Sequence, residues 1–73
     1  MTEEQWMQEF AKKLKHKMDS EDVDQRELAV RSSISESTIS RYISGSQMPK
    51  LYAVVRIAKV LQASLYELIP VIK

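Results

Sequence analysis

The chain has 73 residues, 11 Lys and Arg against 10 Asp and Glu, and a net charge of +1. A chain of this length forms one domain, whose small core buries roughly 60% of the unfolded surface. The absence of cysteine excludes disulfides and thiolate zinc sites, no apolar run approaches the roughly 20 residues that span a bilayer, and the acidic start MTEEQWMQEF lacks the plan of a secretory signal.

A soluble, cytoplasmic protein is therefore expected. Charge is unevenly spread. Residues 1–24 carry four Lys against seven acids, whereas Arg26, Arg31, Arg41 and Lys50 face only Glu27 and Glu36 in the middle. Arg56, Lys59 and Lys73 then face Glu67 alone. Glycine and proline are scarce and no stretch alternates apolar with polar, so strands are not expected. The periodicity predicts an all-α fold, a compact five-helix bundle forming one domain over residues 1–73.

The first helix is predicted from Thr2 to Met18. Thr2 and Gln5 have capping-box spacing, and Trp6, Phe10, Leu14 and Met18 form one apolar stripe for the core. Lys12, Lys13, Lys15 and Lys17 read as a solvated face, and His16 as a surface residue with no metal set around it. The run from Asp19 to Asp22 breaks the pattern.

The second helix is predicted to start after Asp24 as its cap, with Val23 and Leu28 as a hydrophobic staple, and to end near Arg31. The third repeats that plan, with Ser35 as cap and Ile34 and Ile39 as the staple. At about 100° per residue, Glu36, Ser37, Ser40, Arg41 and Ser44 share a polar arc, opposite Ile39, Tyr42 and Ile43. The sole glycine, Gly45, follows as a left-handed stop. The fourth helix is predicted from Leu51 to Leu61, with Leu51, Val54, Val55, Ile57, Ala58 and Leu61 apolar. The fifth is brief: Ser64 and Glu67 form a capping box, Leu65, Leu68 and Ile69 are apolar, and Pro70 ends it.

Only Ser32 to Ile34 join the second and third helices. That is the connection length of a helix-turn-helix, whose second helix enters the DNA major groove. A nine-residue helix is about 13 Å long, and the groove is about 12 Å wide. The mainly serine face lets the backbone approach closely. Arg41 is its one long cation, fitted to guanine O6 and N7, and Glu36 can accept from a cytosine amino group. Ser37 and Ser40 can donate or accept.

The run QRELAVRSSISESTISRYISGSQMPKLYAVVRIAKVLQASLYEL resembles the Cro/repressor-type helix-turn-helix family of phages and bacteria. The likeness extends from about Phe10 to Ile69. Its most specific pieces are Gln25-Arg26-Glu27-Leu28-Ala29, Ser35 through Tyr42, and Gly45 followed by Pro49. The resemblance implies a transcriptional regulator of double-stranded DNA, as a repressor. It implies base reading by Glu36, Ser37, Ser40 and Arg41. Gln25 is placed like the family residue that holds a phosphate and braces the reading helix. Thr38 and the loop residues Ser46, Gln47 and Lys50 are placed to hold the DNA backbone. Ser33 and Gln62 stand where the family usually has glycine, and Lys50 where it has a serine or threonine cap. A left-handed Ser33 would cost roughly 1–2 kcal/mol.

Leu65, Ile69, Val71 and Ile72 exceed what so short a terminus needs. They suit packing on Trp6 and Met7 or pairing with a second copy, and the resemblance favours a homodimer on a palindromic operator. The alternative is a protein-interaction module, an antitoxin or adaptor, supported by the acidic front and the apolar tail. Paired acids, a nucleophile with its base, a metal cluster and a phosphate loop are all missing, so neither an enzyme nor a cofactor or small-molecule ligand is expected.

Overall fold

The computed structural model describes residues 1–70; Val71 and Ile72, two of the candidate pairing residues, lie outside them. Five helices follow in order: α1 Glu3–Ser20, α2 Gln25–Ser32, α3 Glu36–Ser44, α4 Leu51–Leu61 and α5 Leu65–Leu68. No strand occurs among the described residues.

The helices start where their caps predict. The Thr2 hydroxyl accepts from the Gln5 amide at 3.1 Å while Gln5 Oε1 accepts from the Thr2 amide at 2.9 Å. Asp24 Oδ1 accepts from the Glu27 amide at 2.8 Å, and Ser35 Oγ from the Thr38 amide at 3.2 Å. Each satisfies an amide that the helix itself leaves unbonded. At α5 the Ser64 amide donates to Glu67 Oε2 at 2.6 Å. Lys50 contributes no side-chain cap to α4.

The stops depend on backbone shape. α1 continues two residues past Met18, because Asp19 and Ser20 are exposed on its last turn and their polarity costs the helix little. It ends instead at left-handed Asp22 (φ 55°), where the Val23 amide returns to the Met18 carbonyl at 2.9 Å. Ser33 and Gln62 are also left-handed, at φ 59° and 53°. Glycine at position 33 would relieve about 1–2 kcal/mol of steric cost and give back about 0.5–1 kcal/mol in unfolded-chain entropy. Ser33→Gly is therefore expected to raise stability by about 0.5–1 kcal/mol, with DNA affinity unchanged. Thermal melting checks this, and a lowered midpoint would contradict it.

Each helix is held by two neighbours. α1 packs on α3 and α5, α4 packs on α2 and α5, and α2 meets α3. The core fills the centre of this ring, with Phe10, Leu14, Leu28, Ile39, Ile57, Leu61 and Leu68 all but sealed from solvent. Trp6 caps the rim, half-buried and stacked on Phe10 at 5.6 Å. Phe10 meets the edge of Tyr42 at 6.3 Å. One residue of the expected apolar face of α4 is left uncovered. Leu51 is 70% exposed, and Ala53 is buried instead. The buried arc of α4 centres on Val54, Ile57 and Leu61, which leaves Leu51 at its margin.

Lys17 ties α5 to α1, with Nζ 3.5 Å from Glu67 Oε1 and 3.9 Å from Glu21 Oε2. The Ser64 amide, and to a lesser degree the Lys17 ammonium, hold the Glu67 carboxyl below the usual glutamate range. A lowered folded-state pKa stabilises above the unfolded value of about 4.3, and the contribution is lost as pH falls through the folded value. Glu67→Gln should therefore lose less stability than the wild type between neutral and acid pH. Unfolding midpoints at both pH values measure the gap, and an unaltered gap would contradict the assignment.

Candidate nucleic-acid interface

The short α2–α3 connection follows from three residues. Ser32 is buried and bonds back to the Ala29 carbonyl at 3.4 Å. Left-handed Ser33 reverses the chain, and the Ile34 amide returns to the Ala29 carbonyl at 3.2 Å. Ile34 then packs against the core, and Ser35 opens α3.

α3 is divided as its sequence predicts. Ile39 and Tyr42 are buried, at 0% and 3% exposure, whereas Glu36, Ser37, Ser40, Arg41 and Ser44 are exposed. Tyr42 belongs to the core cluster. Burial raises its pKa, the Lys50 backbone opposes the shift, and Tyr52 adds to it, so the phenol is neutral on the core side. Arg41 and Glu36 form no side-chain hydrogen bond or ion pair among the described residues. Arg31, by contrast, is engaged by Glu27 at 3.2 Å.

The candidate backbone-holding residues divide into three kinds. Gln25 bridges the two helices: its Nε2 donates to the Glu36 carbonyl, 3.4 Å away and eleven residues on. That bond fixes the start of α3 against the start of α2. Thr38 is half-buried, and its hydroxyl accepts from Ser35 Oγ at 2.8 Å. Ser46 is engaged in ending α3, with its amide 3.0 Å and its hydroxyl 3.3 Å from the Arg41 carbonyl. Gln47 is half-buried and Lys50 is exposed.

Gly45 ends α3 in the left-handed region (φ 75°). A Cβ there would also lie 2.7 Å from Gln8 Nε2 of α1. The sequence reading missed this close approach, and no local signal connects two residues so far apart in the chain. It also passed over Tyr52, which is 57% exposed and lies under the Arg56 guanidinium at 5.3 Å. Of the candidate pairing residues, Leu65 is 38% exposed and Ile69 packs partly against the core.

Other surfaces offer less. A shallow groove of ≈ 340 Å³ is lined by Lys12, Lys13, His16, Lys17, Ser20 and Glu67. Lys17 there is half-buried and paired with Glu21 and Glu67, so it departs from the solvated face expected of it. No cluster of metal-binding residues occurs among the described residues, and no described helix is long and apolar enough to cross a membrane.

A family model described as helix-turn-helix matches residues 14–68, most of the chain and the whole α2–α3 unit. Comparison with curated proteins and with solved structures found no match. The chain belongs to the helix-turn-helix family of DNA-binding regulators, as its Cro/repressor-type pattern leads one to expect. The match adds nothing to the protein-interaction alternative.

Proposed function

We propose that this helix-turn-helix protein is a sequence-specific repressor that lays α3 in the major groove of an operator in the bacterial cytoplasm. One observation carries the reading. The outward row of α3 is short serines with an Arg41 that pairs with no described residue, and Gln25 clamps the start of that helix. A helix that reads base edges needs such a row and such rigidity. Glu36, Ser37, Ser40 and Arg41 read bases. Gln25, Thr38, Ser46, Gln47 and Lys50 hold the backbone, with Thr38 and Ser46 acting mainly by shaping the two ends of α3. Repression follows from occupancy, since a protein docked over a promoter excludes polymerase.

One module reads few base pairs. Two copies on a palindrome, with half-sites about 34 Å apart, supply the rest. Selection from randomised duplex DNA tests this: a palindromic consensus is expected, and recovery of sequences without a consensus would overturn it.

Lys50 sits where a helix cap belongs but supplies none. Lys50→Ser should raise stability by about 1 kcal/mol through capping. It should also weaken all DNA about equally and reduce the salt slope by about one. An unchanged slope would place Lys50 away from phosphate.

A further inference from the structure

The matched helix-turn-helix segment begins at Leu14, so Glu3 to Lys13 of α1 stand ahead of it. Their inward side completes the core through Phe10 and Ala11. Their outward side carries Glu3, Glu4 and Glu9, and no Lys or Arg precedes Lys12. Glu9 pairs with Lys12 at 3.5 Å, whereas Glu3 and Glu4 form no ion pair among the described residues. Glu3 lines a hollow of ≈ 330 Å³ together with Met1, Trp6 and Met48. Met1 and Met48 are 61% and 40% exposed, and Trp6 is half-buried, with one face of its ring taken by Phe10. An adjoining hollow of ≈ 350 Å³, sharing Thr2, is lined by Glu4 and Glu9. A soft apolar floor thus lies beside a row of acids at the start of α1.

We infer that this face docks a basic amphipathic helix of another protein. The inference goes beyond the operator reading and does not need it. Charge selects the occupant. Acids repel phosphate, so the rim favours neither DNA nor an anionic bilayer. Methionine is unbranched and polarizable, and it adapts to apolar side chains of varied shape. Lys or Arg flanking such apolar anchors answers Glu3, Glu4 and Glu9 and fixes the orientation of the partner. An amphipathic helix presents both features at once, with apolar residues three and four apart on one side and cations along its margins.

Trp6 is the only tryptophan in the chain, so its emission reports on the site in the full-length protein. The probe is a synthetic amphipathic helix of Leu and Lys as long as α1, and a Leu and Glu helix of the same pattern is its control. The Lys probe should shift the Trp6 emission saturably, and added salt should weaken its binding. The Glu control should give no shift. The triple variant Glu3→Gln, Glu4→Gln, Glu9→Gln should bind the Lys probe about tenfold more weakly. Met48→Ser should weaken binding severalfold with the acids intact. None of the four side chains is buried, and matched thermal melting verifies each fold. No shift with the Lys probe would overturn the inference. An equal response to the Glu control, or undiminished binding by either variant, would overturn it as well. A Trp6 shift that grows with protein concentration alone, with a dimer mass in sedimentation, would overturn it in favour of a second copy on this face.

Discussion

Arg41→Ala is expected to weaken operator binding by about 1–3 kcal/mol and to relax preference at one base pair per half-site. The magnitude follows from the surroundings of the side chain. Arg41 lies exposed on the last turn of α3, and its neighbours on that face are Ser37, Ser40 and Ser44. None of those serines extends as far from the helix or carries charge. A guanidinium can donate two parallel bonds to guanine O6 and N7, and truncation leaves those acceptors unpaired. No contact within the described chain competes for it, so the variant should melt close to the wild type. Only a few tenths of a kcal/mol are at stake from losing a cation near the helix C-terminus. Titration onto the selected operator and onto random duplex separates the possibilities. A loss confined to the operator is expected, and an equal loss on both would reduce Arg41 to a general phosphate contact.

Ile39→Ala should have the largest effect on stability, about 2–5 kcal/mol. Ile39 lies on the opposite side of the same helix, fully buried, between the reading face and the centre of the ring. A domain of this size has about 4–11 kcal/mol of stability in all, so one truncated side chain removes a large part of it. The apparent loss of DNA binding then follows from unfolding, and lowering the temperature should partly restore it. Ile39→Val gives the graded control, at about 0.5–1.5 kcal/mol. Urea denaturation measures both. A loss under about 1 kcal/mol for the alanine variant would contradict the burial assigned to this face.

The pair shows which features of the molecule are local. Thr2, Asp24, Ser35 and Ser64 mark helix starts because a cap needs only residues three apart. The polar row of α3 was legible for the same reason: a helix wheel requires only the period. The turn at Ser33 was less so, since serine does not declare a left-handed backbone as glycine does. Leu51 belongs to the apolar side of α4 on a wheel, which shows which side is apolar and not what covers it. Similarly, the bond from Gln25 to the Glu36 carbonyl and the fit of Gln8 over Gly45 arise only once α1, α2 and α3 are packed. The base-reading candidates thus follow from period and residue type together with the family resemblance. The hydrogen bond that braces the start of α3 comes from tertiary packing.

The most direct test is a scan of every base pair in the selected half-site, measuring binding of the wild type and of Arg41→Ala to each single substitution. The account predicts that the two energy profiles differ at one position, a G·C pair, where the wild type discriminates by about 1–3 kcal/mol and the variant does not. Parallel profiles, offset by a constant at every position, would contradict it and make Arg41 a phosphate contact in place of a base reader.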